Sequence, residues 1–413
     1  MQLNKMAWRT LARNKRRSLI TSFSVAFGIL LAVTFTGSGD YSYTSMIDTS
    51  AVMGFGHVSV EAAGYNDRPG LARRLTEAGG VRKTALGLPR VAGAYVRIMG
   101  QAMFATGAKS VGGVFMAVDP QLEKPLHNFF LRSIVEGRLF DDTNGRGAVV
   151  GAGMAVKLNL RLGKKVIVTV TDKNGQLTSE LTRVCGIFKT GDDSVDSGMV
   201  LLPLGRMRQV LNYGPDDATL VAVYVNDLRQ VKRVRTLLAA KLDHKANLEV
   251  LPWQETQPDL AGLIAVDRLF NYLLQFLVGL VIAAGILNTM LMSVLERTRE
   301  FGIMMAVGMT PRQVVGLVLI ESFWLGVLGL LLGVILTTPW FIYMSRVGID
   351  LSRHIGQDYS AGGVLVDPVM KLRLYRESAL VILLSAFGLT MAAGVYPAIR
   401  AGRTMPVESL KET

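Results

Sequence analysis

The stretch "LERTREFGIMMAVGMTPRQVV", residues 295–315, is a charged, glycine-containing connector between two long apolar segments. A bilayer core of about 30 Å requires roughly 20 consecutive apolar residues in a helix. Four segments of the chain meet that length, and 50% of its 413 residues are hydrophobic, which favours a membrane protein. We therefore predict an α-helical membrane protein with four transmembrane helices at residues 19–37, 269–295, 313–343 and 379–399.

The distribution of basic residues predicts how these helices are oriented. The segment before the first helix has no acidic residue and carries Lys5, Arg9, Arg13, Lys15, Arg16 and Arg17. Because cytoplasmic segments next to transmembrane helices carry an excess of Lys and Arg, we place this basic N-terminal flank, residues 1–18, in the cytoplasm. With four helices, the C-terminal tail at residues 400–413 is predicted to be cytoplasmic as well.

This orientation assigns each connector to one side of the membrane. Residues 38–268 form a large extracytoplasmic domain between the first and second helices, residues 296–312 a short cytoplasmic connector, and residues 344–378 a second extracytoplasmic loop. A cleaved signal peptide is the alternative for the first helix, because small residues follow it at positions 36–39. Its apolar run is long for a signal core, and cleavage would leave an odd number of helices, so we expect this helix to stay.

The formal net charge of +13 allows two interpretations. A strongly basic chain can bind nucleic acid. Membrane topology and anionic lipid headgroups explain the basic flank at residues 1–18, and the remaining basic residues are interspersed with Asp and Glu. The charge pattern therefore favours a membrane surface over nucleic acid.

Residues 38–268 contain strand patterns. The segments "GHVSVEA" (56–62) and "KKVIVTVTDKNGQLTSELTRVCGIF" (164–188) alternate apolar and polar residues. Within the second segment, Asn174-Gly175 predicts a two-residue hairpin turn between two strands.

Two other segments of the same region predict helices. "GLARRLTEAGG" (70–80) is predicted to be a helix that ends at glycine. "DLRQVKRVRTLLAAKL" (227–242) is predicted to be a helix capped by Asp227 that buries one face, formed by Val231, Val234, Leu237, Leu238 and Leu242. Strand and helix patterns together predict an α+β domain.

The sequence contains no motif that would make the chain an enzyme by itself. Zinc-protease, nucleophile-elbow and phosphate-loop patterns are all absent, so we expect no ATP hydrolysis through a P-loop of this chain. Cys185, the one cysteine, lies in a strand pattern and is predicted to fill a small buried apolar site. Asp192, Asp193 and Asp196 miss the EF-hand spacing, so we interpret them as a solvated turn and predict no metal site.

The connector itself has the features of a short helix between two spans. Charged residues lie where the second span ends, and Thr310-Pro311 is a suitable N-cap and N1 pair for the third span. Between them, "FGIMMAVG" (301–308) is predicted to be a short apolar helix bounded by Gly302 and Gly308. Such a helix either contacts a partner protein or is only a polar turn beside a lipid-facing segment, and the pattern alone allows both.

Several segments resemble one family. "ERTREFGIMMAVGMTPRQVVGLVLIES" (296–322) is similar to the signature of the MacB/FtsX-like ABC transporter permeases, whose mechanism is mechanotransmission (type VII). "LARNKRRSLITSFSVAFGI" (11–29) and "YPAIRAGRTMPVESLK" (396–411) resemble the two ends of these permeases. In the external domain, "GAVVGAGMAVKLNLRLGKKV" (147–166) and "VCGIFKTGDDSVDSGMVLLPL" (184–204) look most like the lipoprotein-releasing LolC/LolE-type branch.

The resemblance implies that the connector, residues 296–312, is a coupling helix that contacts a cytoplasmic ATPase. It assigns this contact to Glu296, Arg297, Arg299, Glu300, Phe301, Gly302, Ile303, Met305 and Gly308. It also implies two copies of a separate ATPase subunit that bind ATP and Mg, a second permease chain, identical or homologous, and no cofactor in this chain. The expected location is the bacterial inner membrane, with both termini cytoplasmic and the large domain in the periplasm.

Three functions are compatible with this family. The first is release of lipoproteins or another hydrophobic cargo from the inner membrane, with a periplasmic carrier as a further expected partner. The second is MacB-like efflux with a periplasmic adaptor, and the third is FtsX-like regulation of a cell-wall hydrolase. The loop at residues 344–378 departs from the short turn usual in the family, so it leaves the branch and the cargo open.

Small residues predict close packing between the spans. They are Gly326, Gly329 and Gly333 in the third span and Gly279 and Ala283 in the second. Glu321 is an acidic residue inside the third span, and the predicted spans offer it no ionisable partner. We therefore predict a structural hydrogen bond from Glu321 to a neighbouring helix rather than a proton relay.

Overall fold

The computed structural model describes residues 2–13, 15–107, 109–242, 247–351, 360–361, 364–365 and 369–403. The chain divides into two compact units. The helical unit contains Met1–Ser42, Val266–Asp350 and Val369–Thr413, and the domain unit contains Tyr43–Ala265 and Leu351–Pro368. Outside the described residues lie residues 352–359, 362–363 and 366–368 of the predicted second external loop and residues 404–413 of the predicted tail.

The described α-helices, in chain order, are α1 (Gln2–Arg13), α2 (Lys15–Ser50), α3 (Ala78–Leu86), α4 (Phe129–Arg132), α5 (Ala152–Lys157), α6 (Asp193–Gly198), α7 (Leu204–Val210), α8 (Val231–Leu242), α9 (Trp253–Thr256), α10 (Pro258–Glu296), α11 (Thr298–Ala306), α12 (Pro311–Arg346) and α13 (Arg376–Gly402). A π-helical turn, Ala51–Phe55, continues α2, and short 3-10 turns lie at Pro125–His127 and Leu228–Gln230.

The described strands are β1 (Val58–Ala62), β2 (Val91–Ala105), β3 (Ser110–Val118), β4 (Ile134–Gly137), β5 (Gly147–Gly151), β6 (Lys165–Thr171), β7 (Leu177–Phe188), β8 (Met199–Pro203), β9 (Leu220–Val225), β10 (Leu248–Pro252), β11 (Ile349–Asp350), β12 (Ser360–Ala361), β13 (Val364–Leu365) and β14 (Val369–Met370).

Four helices of the described chain are long and apolar enough to cross a membrane: α2 with its π-turn, α10, α12 and α13. Each contains one of the predicted spans, which confirms the four-helix architecture. At 1.5 Å per residue, the 36 residues of α2 and the 39 residues of α10 exceed the length that a bilayer core requires. Hydropathy locates only the apolar part of a helix, and the polar residues after position 37 and before position 269 continue these helices in the structure.

The domain unit is built on one ten-stranded mixed sheet. Its strand order is β10-β1-β9-β2-β3-β8-β5-β7-β4, with β6 paired to both β2 and β7. Neighbouring strands are antiparallel except for the pairs β3–β8 and β5–β7. β1 follows α2 along the chain, and β10 precedes α10. These two strands pair with each other, so the strands by which the chain enters and leaves the domain lie side by side in the sheet. The predicted α+β domain is confirmed.

The helix predicted at residues 70–80 is wrong. Residues 71–77 form turns in which Leu75, fully buried, exchanges backbone hydrogen bonds with Ala218, and α3 begins only at Ala78. Asp216 supplies the start of α3, because its carboxylate accepts a 2.9 Å hydrogen bond from the backbone N–H of Gly79. A cap that comes from a distant segment has no signature in the local sequence.

The hairpin predicted at Asn174-Gly175 is present, between β6 and β7, but its loop is longer than two residues. Asp172 and Gln176 still form a backbone hydrogen bond, and the carboxylate of Asp172 accepts from the backbone N–H groups of Asn174 and Gln176. Gly175 takes the left-handed conformation, with φ of +82°. Cys185 lies on β7 as predicted and is half-buried, and burial raises the pKa of its thiol.

The acidic segment at residues 192–196 is not a solvated turn. Asp192 and Asp196 are only 6% and 3% exposed. Asp192 caps α6 by accepting hydrogen bonds from the N–H groups of Ser194 and Val195, and Asp196 accepts from the N–H and hydroxyl of Thr190. Both carboxylates therefore accept hydrogen bonds from backbone N–H groups. The described part of the chain contains no cluster of three potential metal ligands.

The prediction for residues 227–242 holds except at one position. Asp227 caps the 3-10 turn that leads into α8, and four of the five predicted apolar residues are buried. Leu237 is 38% exposed instead.

Candidate functional site

The connector after α10 is a helix with defined ends. α11 begins at Thr298, and Gly308, with φ of +112°, redirects the chain after it. Thr310 and Gln313 form a reciprocal capping box at the start of α12, as expected for the predicted cap. Gly302, which we predicted as the boundary of the short helix, lies inside α11 instead.

Arg297 forms a buried ion pair inside the helical unit. Its Nη1 donates to both carboxylate oxygens of Glu321, at 3.0 and 3.1 Å, and the two side chains are 9% and 6% exposed. The guanidinium also lies 5.0 Å from the ring centroid of Phe301, which is fully buried. The ionisable partner of Glu321 thus comes from the connector, just outside the predicted spans.

Glu300 extends this network to α1. It accepts hydrogen bonds from Arg297 at 2.9 Å and from Arg13 at 2.7 Å. Partial burial opposes ionisation of this carboxyl, but the hydrogen bonds from Arg297 and Arg13 lower its pKa below the ordinary value. Arg297 also lies 3.5 Å from the hydroxyl of Thr10. Residues of α1, α11 and α12 therefore share one set of charged contacts.

Further contacts hold α1 and the start of α2 against other helices of the helical unit. Trp8 and Trp324 pack edge to face with ring centroids 5.0 Å apart, and Trp324 Nε1 donates a 2.6 Å hydrogen bond to Asn4. Arg17, at the start of α2, pairs with Glu296 at the end of α10. Nothing in the sequence pattern of α1 predicted these partners, which lie roughly 300 positions away.

The other face of α11 is exposed. Val307 is 85% exposed and Ile303 is 47% exposed, and Arg299 and Gly308 are exposed as well. Met305 is partly buried, whereas Phe301 and Gly302 are buried. The predicted coupling residues therefore divide into an exposed tip and a buried base. The side chains of Arg297 and Phe301 belong to the base and point into the interior of the helical unit.

The glycines of α12 lie where neighbouring helices approach most closely. A Cβ atom on Gly329 would lie 2.7 Å from Val25, one on Gly333 would lie 2.5 Å from Ile29, and one on Gly326 would lie 3.1 Å from Phe387 of α13. Gly329 and Gly333 thus permit the contact with α2.

The small residues of α10 do not make such a contact. A Cβ on Gly279 would lie 3.6 Å from its nearest neighbour, and Gly279 and Ala283 line an apolar cavity of about 480 Å³ between α2, α10 and α13. Gly279 therefore lies at ordinary contact distance from Leu389 of α13, without the close helix approach seen at Gly329 and Gly333.

The domain unit contains a second buried polar cluster, which the sequence analysis missed. Arg97, on β2, is fully buried and pairs with Glu123. It donates to the backbone carbonyl of Gly54 at 2.6 Å and to the hydroxyl of Tyr224 at 2.9 Å, and Tyr224 donates to the carbonyl of Ala51 at 3.0 Å. This cluster satisfies carbonyl groups of the π-turn that ends α2 and fixes that turn to the sheet.

Histidine contributes to the same cluster in its neutral form. His127 stacks on Tyr224 with centroids 4.6 Å apart and hydrogen-bonds to Tyr95 at 2.8 Å. Burial, followed by the charges of His57 and Arg97, lowers the pKa of His127 to about 4. The imidazole is therefore uncharged at neutral pH.

The helical unit has four helices long and apolar enough to cross a membrane and a connector helix with a buried ion pair at its base, and a sheet domain is inserted between the first two of the four; this is the architecture of a multi-pass membrane protein. Family profiles match both parts of the chain: the MacB-like periplasmic core domain over residues 18–241 and the FtsX-like permease C-terminal domain over residues 272–406. The chain belongs to the family of FtsX-like permeases with a MacB-like periplasmic core domain.

Individual relatives are distant in sequence. The chain is 24% identical over 269 residues to the lipoprotein-releasing system transmembrane protein LolE of Haemophilus influenzae, covering 64% of each chain. It is 23% identical over 422 residues to the macrolide export ATP-binding/permease protein MacB of Nitrobacter winogradskyi, covering 98% of this chain and 59% of that one. LolC of Xylella fastidiosa is 23% identical over 338 residues, 78% of each. The chain spans less than two thirds of the length of the first two relatives.

Two solved structures are similar to part of the chain. They are the extracellular domain of the noncanonic ABC-type transporter YknZ from Gram-positive bacteria, with a TM-score of 0.34 and 17% identity, and the periplasmic region of MacB from Actinobacillus actinomycetemcomitans, with a TM-score of 0.33 and 16% identity. Each alignment covers 47% of this chain. It covers 98% of the YknZ domain and 87% of the MacB periplasmic region.

Proposed function

We propose that the chain is the permease subunit of an ABC transporter, in which a separate cytoplasmic ATPase drives a conformational change of the periplasmic domain. The observation that carries this proposal is the division of α11 into an exposed apolar tip, Ile303 and Val307, and a charged base held by Arg297. An exposed apolar patch on a short charged helix is a suitable docking surface for a partner protein. The family supports an ATPase as that partner.

The base of α11 would transmit the movement of the tip. Because Arg297 contacts Glu321 of α12 and Glu300 of α11, and Arg13 of α1 contacts Glu300, these helices are held together. A displacement imposed on α11 would therefore be shared with α12 and α1 rather than absorbed by a flexible turn. Arg297 and Phe301 are positioning residues in this proposal, and contact with the ATPase is assigned to the exposed side chains.

We propose the remaining partners on the same basis. Two ATPase copies would bind ATP and Mg²⁺, and a second permease chain, identical or homologous, would complete the transporter. This chain would then be non-catalytic, would bind no cofactor and would lie in the bacterial inner membrane with both termini in the cytoplasm. Basic residues gathered at one end of the helical unit support that orientation.

For the cargo, we propose a lipoprotein or another hydrophobic molecule of the inner membrane, because two of the relatives are components of lipoprotein-releasing systems. Efflux with a periplasmic adaptor is the second candidate. It is favoured by the alignment with MacB, which covers 98% of this chain.

Co-purification of the ATPase tests the proposed docking surface. In a Val307→Glu variant, a charge on the exposed tip should remove the ATPase from the affinity-purified chain. Val347→Glu is the matched control, because Val347 is an apolar residue, 59% exposed, at the opposite end of α12. Equal ATPase recovery from both variants would contradict the proposal.

Mass spectrometry of the same preparation tests the cargo. Recovery of an ATPase, a second permease and a bound lipoprotein would support lipoprotein release. Recovery of an ATPase with a periplasmic adaptor, and no lipoprotein, would support efflux instead.

A further inference from the structure

A cleft lies between the end of α10 and the last turns of α13, beside the first residue of α11. One wall is formed by Val294, Leu295 and Thr298. The other is formed by four residues at the C-terminal end of α13: Tyr396, Ile399, Arg400 and Arg403. Its volume is about 400 Å³, within the range of small-molecule sites. The coupling network does not use these residues.

The walls combine exposed apolar side chains with two cations. Leu295, Tyr396 and Ile399 are 46%, 52% and 43% exposed. Arg400 and Arg403 are exposed, and neither makes an ion pair with another residue in the part of the chain that the structure describes. A ligand that contacts both the apolar side chains and the two arginines must carry an apolar body and an anionic group.

The position of the cleft limits the source of such a ligand. α2 and α12 begin, and α10 and α13 end, at the same end of the helical unit. Basic residues are concentrated there: Lys5, Arg9, Arg13, Lys15, Arg16, Arg17, Arg299, Arg312, Arg400 and Arg403. Tyr and Arg side chains at the ends of membrane helices sit at headgroup level, and anionic lipids are enriched next to basic segments.

We propose that this cleft binds an anionic phospholipid, whose phosphate lies between Arg400 and Arg403 and whose acyl chains lie along Leu295 and Ile399. Basic pockets between transmembrane helices are known to hold anionic lipid headgroups. The apolar wall favours a phospholipid over free phosphate. With the orientation given under the proposed function, on which this step rests, the lipid would belong to the cytoplasmic leaflet.

The site adjoins the coupling element. Thr298 is the first residue of α11, so a bound lipid touches the helix on which the ATPase would dock. The N-terminus of this nine-residue helix adds a favourable potential for the lipid phosphate. Binding at this position would therefore stabilise one placement of α11.

Native mass spectrometry of the full chain, with vesicles of phosphatidylglycerol or phosphatidylcholine as probes, tests the proposal. The double variant Arg400→Gln/Arg403→Gln should bind phosphatidylglycerol about tenfold more weakly than the wild type, with unchanged binding of phosphatidylcholine. The control Arg9→Gln/Arg16→Gln removes the same charge from exposed positions at the same end and should keep the affinity. All four side chains are exposed, so size-exclusion profiles should remain unchanged.

Other outcomes would overturn the proposal. Equal weakening in both double variants would indicate general surface attraction, and displacement of the lipid by inorganic phosphate at constant ionic strength would indicate a simple anion site. A partner protein that protects Arg400 and Arg403 from an arginine-specific reagent, with no lipid retained, would assign the cleft to that protein. The assay contains no ATPase, so its result is independent of ATPase recovery with Val307→Glu.

Discussion

Arg297 shows how much a single residue depends on its surroundings. The family resemblance implies that Arg297 contacts the ATPase. In the structure its side chain is only 9% exposed and donates hydrogen bonds to Glu321. A buried carboxylate inside an apolar helix is costly unless it is paired, and the guanidinium supplies that pair from the connector.

Removing one charge of this pair should destabilise the protein. We expect Glu321→Gln to lower the free energy of unfolding by about 3 kcal/mol, because Arg297 would stay buried with a weaker partner. Thermal unfolding in one detergent measures the change. Glu296→Gln is the control, because Glu296 is 45% exposed in its pair with Arg17 and should cost less than about 1 kcal/mol.

A double variant separates charge from packing. Replacing both partners, as Arg297→Met/Glu321→Leu, should restore most of the stability that Glu321→Gln loses, because no unpaired charge remains. A double variant as unstable as the single one would show that the ion pair is not the cause.

Glu61 should make the stability of the domain depend on pH. It is 1% exposed on β1, opposite Glu249 of β10. Burial, and then the nearby charge of Glu249, raises the pKa of Glu61 from 4.5 to about 7, although Ser59 donates a hydrogen bond to it. The folded state thus binds the proton more tightly than the unfolded state, and the resulting stability is complete below pH 4.5 and is lost as the pH rises through 7.

Glu61→Gln should remove this dependence. The difference in stability between variant and wild type should grow by roughly 3 kcal/mol in favour of the variant between pH 4.5 and pH 8, measured by chemical denaturation. Glu136→Gln, which changes an exposed carboxyl on β4, should show no such trend. A pH-independent difference for Glu61→Gln would refute the assignment.

At the scale of elements, helix ends and helix contacts follow different rules. Thr310-Pro311 and Gln313 mark the start of α12 in the sequence itself, because the cap is local. The start of α3 is marked by Asp216, far along the chain, and was mispredicted. Small residues in α12 indicated close packing, but only the structure assigns Gly329 and Gly333 to α2 and Gly326 to α13.

The contact between α2 and α12 should depend on Gly329. Gly329→Val would place a Cβ 2.7 Å from Val25 and should cost about 1–3 kcal/mol through overpacking. Gly316→Val is the matched control on the same helix, because no atom lies within 4 Å of its added Cβ. Thermal unfolding of the two variants in detergent makes the comparison, and equal melting temperatures would rule out a packing role for Gly329.

At the scale of the whole molecule, the helical unit gathers the N-terminal helix, the connector and the end of α13 at one end. Both proposals depend on this arrangement. The exposed tip of α11 and the basic cleft lie at the same end of the helical unit, so both would face the same side of the membrane.

The predicted orientation can be measured by labelling cysteines in intact cells. In a Cys185→Ala background, Val307→Cys should react with a membrane-impermeant maleimide only after permeabilisation, whereas Leu177→Cys should react in cells whose outer envelope alone is opened. Both residues are well exposed, at 85% and 78%. Labelling of Val307→Cys before permeabilisation would contradict the predicted orientation.

Linear sequence patterns predict the four membrane helices, the inserted α+β domain, the β6–β7 hairpin and the cap of α12. These features follow from hydropathy over a bilayer-length window and from contacts within a few residues, which a linear pattern records. The folded chain alone shows that Arg297 pairs with Glu321, that Arg97 fixes the π-turn, and that Arg400 and Arg403 face Leu295 across a cleft. Each of these joins residues separated along the chain, and the free energy of pairing or burying them depends on a neighbourhood that exists only after folding.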